Sequence, residues 1–337
     1  MQFRFTAIAL TTAVLAGNAW AVELPGPVVD GQWLAKNLGE VQVVDIRSDK
    51  SFTGKPVFET DAKSGKKTLS ELGGHLANAL AVSFGTIRAS RMINGEKVNY
   101  LVPEKADFQK LMQKAGLRAD KPIVIVTKGM NAAEIDEGLR LFWQLKYFGE
   151  NRVAMLDGGL AAWVADGRQV VSTAPAAATG DWTAKAEQDE LLATPDEVAA
   201  AGSNTQIIDA RGAAQYFGLG KRDYVSSFGH IKGAKLLPPE ILFRKDGPAV
   251  KFFSPQTYRA IFAMSGIATD RPAITYCNSG HLASGPWFIE HELIGNQHVQ
   301  LFDGSMHFWT LEKRPVESVA LAPLAPTCAP GAQAPGC

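Results

Sequence analysis

The feature that most constrains this chain is an internal duplication: the same five signals occur twice, in the same order. An apolar run ends in Asp-x-Arg at VQVVDIR (Asp45, Arg47) and again at TQIIDAR (Asp209, Arg211). A Gly-His pair follows each run, Gly74-His75 and Gly229-His230. Then come a short apolar run, KPIVIVT at 121–127 and RPAITYC at 271–277, and a helical segment ending in glycine, LRLFWQLKYFG and PWFIEHELIG. A strand-turn-helix signature closes each half, VAMLDGGLAAW around Asp157 and LFDGSMHFW around Asp303.

The apolar runs are short, rich in Val and Ile, and bounded by turn residues, which suits buried parallel strands. Between them lie stretches with helical spacing, such as Phe108, Leu111, Met112 and Leu117. Strands alternating with helices imply crossover connections and a parallel sheet. A chain of 337 residues has room for two such units. The expected fold is therefore α/β, with two tandem domains, each a parallel sheet flanked by helices; one large doubly wound sheet would not give matched halves. The expected boundaries are a leader at 1–21, a first domain at 22–171, a linker at 172–190, a second domain at 191–316 and a Pro/Ala-rich tail at 317–337.

Lysine plus arginine equal aspartate plus glutamate at 34 each, so no bulk charge steers the chain to nucleic acid. The N-terminus reads as a secretory signal: Arg4, an apolar run at 7–15 too short to span a bilayer, and the small-x-small site Ala19-Trp20-Ala21. A periplasmic or secreted protein with no membrane anchor is expected. Two of the three cysteines, Cys328 and Cys337, sit in the tail CAPGAQAPGC. In an oxidising compartment a local disulfide between them is expected, the alternative being two unpaired thiols. Their pairing would leave Cys277 as the free thiol.

Cys277 ends an apolar run and begins CNSGHLAS, which leads into helix-like PWFIEHELIG. A thiol at the C-terminal end of a parallel strand sits where open α/β sheets bind ligands. Amides of Asn278, Ser279, Gly280, His281, Leu282 and Ala283 can turn toward the sulfur, and a helix start beyond them favours anionic sulfur. Gly280 suits the tight curve such a loop needs. The competing reading is a buried structural cysteine. His281 is either a titratable donor beside the sulfur or a rim residue, while Asp45, Asp209, His75 and His230 read as structural. The chain has no Cys-x-x-Cys, no metal-ligand spacing, no phosphate loop and no dinucleotide fingerprint, and no metal or organic cofactor is expected. The loop lacks the arginine that a cysteine phosphatase would need for a phosphate dianion.

The motifs DAR, GHIKGA, YCNSGHLAS and LFDGSMHFW, in this order, resemble the rhodanese family. The likeness is to its tandem-domain thiosulfate/3-mercaptopyruvate sulfurtransferases, of the exported bacterial type. The resemblance covers nearly all of the chain between leader and tail. It implies two rhodanese-like domains with Cys277 catalytic in a six-residue loop of the second, and a first domain lacking the catalytic cysteine, since Thr127 or Lys128 stands where Cys277 does. Family members often follow the cysteine with Arg-Lys or Gly-Ser; this chain has Asn278 and Ser279. An anion-binding arginine of the family falls on Gln215, which leaves Lys221 and Arg222 as candidate anion-binding residues. The expected activity is transfer of sulfane sulfur from a small-molecule donor such as thiosulfate to cyanide or a thiol, through a Cys277 persulfide. A protein acceptor fits the same chemistry. The rival expectation is a non-enzymatic persulfide carrier or sulfur-binding protein serving an exported sulfur-oxidation partner.

Overall fold

The structure is a computed structural model that describes residues 22–49, 51–65, 67–174 and 179–319. The expected leader, and Cys328 and Cys337 with their expected pairing, lie outside the described residues.

Each half builds a parallel sheet from its apolar runs. In the first, the order is Val28–Val29, Val153–Leu156, Ile123–Val126, Gln42–Arg47 and Leu80–Ser83. In the second, Val299–Leu301, Ala273–Tyr276, Gln206–Asp209 and Lys235–Leu236 follow one another in the same sense. A single parallel bridge from Leu192 to Leu301 stands where the first sheet has Val28–Val29. Registers repeat too: Gln42 pairs with Ile123, and Gln206 with Ala273. The central strands are buried along their length, as strands covered on both faces must be.

The Asp-x-Arg motif closes each central strand. Asp45 takes a buried ion pair from Arg47, whose guanidinium also donates to the Gly74 carbonyl at 3.2 Å. Asp209 accepts from the Arg211 amide and Nε at 2.9 Å each, and Arg211 reaches the Gly229 carbonyl at 2.8 Å. The repeated aspartates and glycines are thus joined in each half by an arginine that ties a strand end to the following turn. His75 and His230 are braces beside these turns. The His75 ring nitrogens each lie 2.7 Å from a backbone carbonyl. The His230 ring stacks on Tyr216 at 3.8 Å between centroids.

The connection between the sheets is strapped down. The amides of Gly180 and Trp182 donate to Gln113 and Leu117 carbonyls, and Lys185 donates to Phe148. Trp182 is buried edge-on to Phe108.

One apolar core runs through both halves. Its centre is the helix Ala132–Tyr147, capped by Asn131, whose side chain accepts from the Glu134 amide at 3.0 Å. Against it packs Ser284–Phe288 of the second half, which runs on into the wider turn Ile289–Ile294. Phe142 meets Phe288 edge-to-face at 4.8 Å, a pair that contributes about 0.5–1.5 kcal/mol beyond area burial. The first half therefore lies directly against the segment that follows Cys277.

Candidate active site

Cys277 follows the strand Ala273–Tyr276 and is 2% exposed. It is the one cysteine among the described residues. The backbone then curls through 278–283. Gly280 adopts φ +69, and a Cβ there would fall 2.5 Å from an Arg140 nitrogen and 2.8 Å from the Asp303 carbonyl. Only glycine fits both the left-handed backbone and the close approach. The Ser279 amide points at the Cys277 sulfur, at 3.5 Å.

A single hydroxyl holds the loop closed. Ser305 Oγ accepts from the Cys277 amide and from the Gly280 amide, both at 3.0 Å, and donates to the Phe302 carbonyl at 2.8 Å. Ser305 is fully buried and adopts φ +49, a left-handed conformation that a serine rarely takes. Two further bonds set the far end: Ser284 Oγ donates to the Gly280 carbonyl at 3.0 Å, and Thr275 Oγ1 to the Ala283 carbonyl at 3.0 Å.

The first half holds the same loop from outside. Arg140 makes a buried ion pair with Asp303 and donates to the Gly280 carbonyl at 3.2 Å. The other Asp303 oxygen accepts from the Val102 amide at 2.5 Å. His307 Nε2 accepts from the Asn99 amide at 3.1 Å, so its Nδ1 carries the proton and donates to the Tyr224 carbonyl at 2.7 Å. Burial lowers the His307 pKa, which keeps this relay neutral. His281 Nε2 donates to the Ala133 carbonyl at 2.9 Å, and its ring lies 4.5 Å from that of Phe84. Burial, with nearby Arg88, Arg140 and Arg222, pushes the His281 pKa down to about 3. His281 is thus a neutral latch between the halves rather than a titrating donor.

The remaining candidates take varied places. Asn278 donates to Gln215 Oε1 at 2.8 Å, and Tyr224 is engaged by Ser279. Leu282 packs into the shared core. Lys221 is turned to its own loop, donating to the Val225 carbonyl at 2.7 Å beside the Phe228 ring. Arg222 is exposed and acts electrostatically on Tyr224 and His281.

The sequence marked Asp303 only as part of the repeated turn and gave no role to Ser305, Arg140 or Arg88, the last of which lies over Phe84. For Ser305 a signal existed. In the first half, Thr127 follows its strand as Cys277 does, and Gly159 stands at the Ser305 position. The Leu160 and Ala161 amides donate to the Thr127 and Lys128 carbonyls, as Met306 and His307 do to Cys277 and Asn278. At Gly159, φ is +55 and a Cβ would sit 2.4 Å from the Thr127 carbonyl. The thiol and the hydroxyl that closes its loop are thus missing together. Lys128, the next residue after Thr127 in the first half, pairs with Asp49 at 2.8 Å.

These features define a class: duplicated α/β domains that share one core, with one thiol in a tight six-residue loop beneath the opposite domain. The profile of the rhodanese-like domain matches residues 30–166 and 194–312, and the chain belongs to the rhodanese family, as an enzyme of its sulfurtransferase class. A relative from Saccharopolyspora erythraea, provisionally named a thiosulfate sulfurtransferase, is 26% identical over 71% of this chain and 81% of its own length. One from Mycobacterium tuberculosis with the same provisional name is 27% identical over 84% of this chain and 93% of its own. The sulfur carrier protein TtuD of Thermus thermophilus is 29% identical over 60% and 72%. In fold, the chain matches the anaerobic ergothioneine biosynthesis enzyme of Chlorobium limicola, solved with its natural substrate trimethyl histidine. The TM-score is 0.70 at 17% identity, over 88% of this chain and 71% of that one.

Proposed function

We propose that this protein moves sulfane sulfur through a persulfide on Cys277. The observation that carries the reading is the buried Cys277 sulfur with the Ser279 amide aimed at it, in a loop closed by Ser305. The thiolate, its proton gone to solvent, attacks the outer sulfur of a donor such as thiosulfate. A sulfur–sulfur bond forms to Cys277, the donor's own breaks, and its electron pair leaves with sulfite. Cyanide or a thiolate then takes the outer sulfur, giving thiocyanate or a new persulfide and restoring the Cys277 thiolate. Two half-reactions on one nucleophile give ping-pong kinetics.

The Ser279 amide offers a fixed dipole to the negative charge on sulfur, and a fixed donor needs no reorganisation during the reaction. At 2% exposure the sulfur is recessed, which favours small donors and acceptors over a carrier role that must present the sulfur to a macromolecule. Export to the periplasm or beyond, from the leader at 1–21, completes the proposal. The test is intact-mass measurement after exposure to thiosulfate. A single added sulfur, localised to Cys277 and discharged by cyanide, supports the reading; an unmodified protein refutes it.

A further inference from the structure

The loop after Cys277 carries no cation: Asn278 and Ser279 are neutral, and Gln215 is tied to Asn278. Yet the proposed first step brings a dianion to a thiolate, and the three negative charges that meet there need a counter-charge. Lys221 donates to the Val225 carbonyl, and Arg222 is exposed, where a lone charge is weakly felt. Arg140 is ion-paired to Asp303 and donates to the Gly280 carbonyl, so although its Nε is also buried without a partner its charge is already balanced.

One guanidinium near the loop is uncommitted. Arg88, from the first half, is partly buried, makes no ion pair among the described residues, and has a buried Nε without a partner. It lies over Phe84 at 4.1 Å and faces Tyr100 at 5.0 Å. Each of those rings touches the catalytic half: Phe84 meets His281, while Tyr100 meets Tyr224 and His307. Tyr100 holds φ +70, a strained backbone of the kind that persists where surroundings over-determine it. Arg88 is electrostatically coupled to Cys277 and Tyr224, while burial and Arg140 lower its own pKa. A partly buried charge without an ionic partner, its Nε shut off from water, is held at some cost to stability, and a group kept in that state points to a ligand that completes it.

We infer that Arg88 receives the anionic end of the sulfur donor, so that the half of the chain without a thiol supplies the cation that selects a small sulfur oxyanion. The inference rests on the sulfur-transfer reading of Cys277. The geometry suits an oxyanion: a planar guanidinium offers paired N–H groups to two oxygens, which an ammonium cannot match. It disfavours a cationic substrate, because the Phe84 and Tyr100 faces that could hold a quaternary ammonium already carry Arg88.

The test uses the full chain, with Arg88→Met to keep the stem over Phe84 and Arg88→Lys to return a charge without the fork. Thiosulfate:cyanide transfer is measured beside loading of Cys277 from an uncharged dialkyl trisulfide, in which the thiolate attacks an outer sulfur, an alkylthio adduct forms on Cys277 and an alkyl persulfide anion leaves. Arg88→Met should raise the KM for thiosulfate about 10- to 100-fold, the range of a lost charge-assisted contact. Arg88→Lys should recover part of it, and the native advantage should shrink with added salt. Loading from the trisulfide should be equal in native and Arg88→Met proteins, and the melting temperature of Arg88→Met should not fall. If native protein takes sulfur but the Met variant keeps the native KM for thiosulfate, the inference is overturned while the Cys277 reading stands. If the variant loses both donors equally and melts lower, Arg88 is a structural brace and the inference fails. If native protein takes sulfur from neither donor, the sulfur-transfer reading falls and takes the inference with it.

Discussion

Removing the hydroxyl of Ser305 should damage this protein out of proportion to the single atom lost. In Ser305→Ala, the Cys277 and Gly280 amides lose an acceptor each holds at 3.0 Å, inside a fully buried environment. Orphaning a buried donor costs about 1–3 kcal/mol, so two give about 2–5 kcal/mol after partial relaxation. Unfolding entropy near 2.1 cal/mol/K per residue, over 337 residues, is about 0.7 kcal/mol/K, which makes the drop in melting temperature about 3–7 °C. Ser284→Ala is the internal control. It deletes a donor to the Gly280 carbonyl, but that carbonyl keeps Arg140 at 3.2 Å, so the loss should be about 0.5–1.5 kcal/mol and about 1–2 °C. Activity should separate the two more sharply. A loop that relaxes by about 1 Å misaligns the sulfur, and such shifts cost on the order of 100-fold in rate. Thermal melting followed by tryptophan fluorescence, with thiosulfate:cyanide turnover, measures both. If Ser305→Ala melts with the native protein and turns over at its rate, the hydroxyl does not close the loop and the reasoning is refuted.

Three further outcomes are expected. Cys277→Ser should abolish sulfur loading by intact mass while shifting stability by only about 1 kcal/mol, since a hydroxyl can still accept from the Ser279 amide; turnover by the purified variant would contradict the assignment. His281 stays neutral in the fold down to about pH 3, whereas the unfolded chain protonates it below about pH 6.5. Its contribution to stability is therefore full above that pH and is lost as pH falls toward 3. His281→Gln, which can still donate to Ala133, should flatten this part of the stability–pH curve, and identical curves would remove His281 as the cause. Thiol counting on denatured exported protein should find one free thiol, Cys277, with Cys328 and Cys337 paired; three would rule out that pairing.

Much of the fold was legible because the chain states it twice. Each apolar run became a central strand, and Cys277 emerged at a strand end because Thr127 did so in the matching place. The left-handed turn at Gly280 was readable for the same local reason. The walls of the site were not. Asp303 meets Arg140 across 163 positions and Val102 across 201, and no periodicity encodes contacts between two separately folded sheets. Arg88 sits in FGTIRAS, a segment with no motif, and becomes notable only when the catalytic half closes over it. Lys221 and Arg222 attracted notice by sequence proximity to Gln215, but Lys221 found a nearer acceptor in its own turn. The wide turn at Ile289–Ile294 was also hidden, since IEHELI has ordinary helical spacing.

The shared core around Ala132–Tyr147 bears on how such a duplication can age. A copy without a nucleophile would ordinarily be free to accumulate change, limited only by its own stability. Here that freedom is curtailed, because Asn99, Val102, Ala133 and Arg140 all bond directly to the loop, or to the residues bracing it, in the other copy. Neutral drift in the silent half is thus read out as a change in turnover. The order of synthesis adds to this. The silent half leaves the ribosome first and presents the Phe142 face of its long helix before Phe288 exists to cover it. Gene fragments encoding the thiol-bearing half alone would lack that template, and domain-shuffling experiments should treat the pair as one inheritable unit.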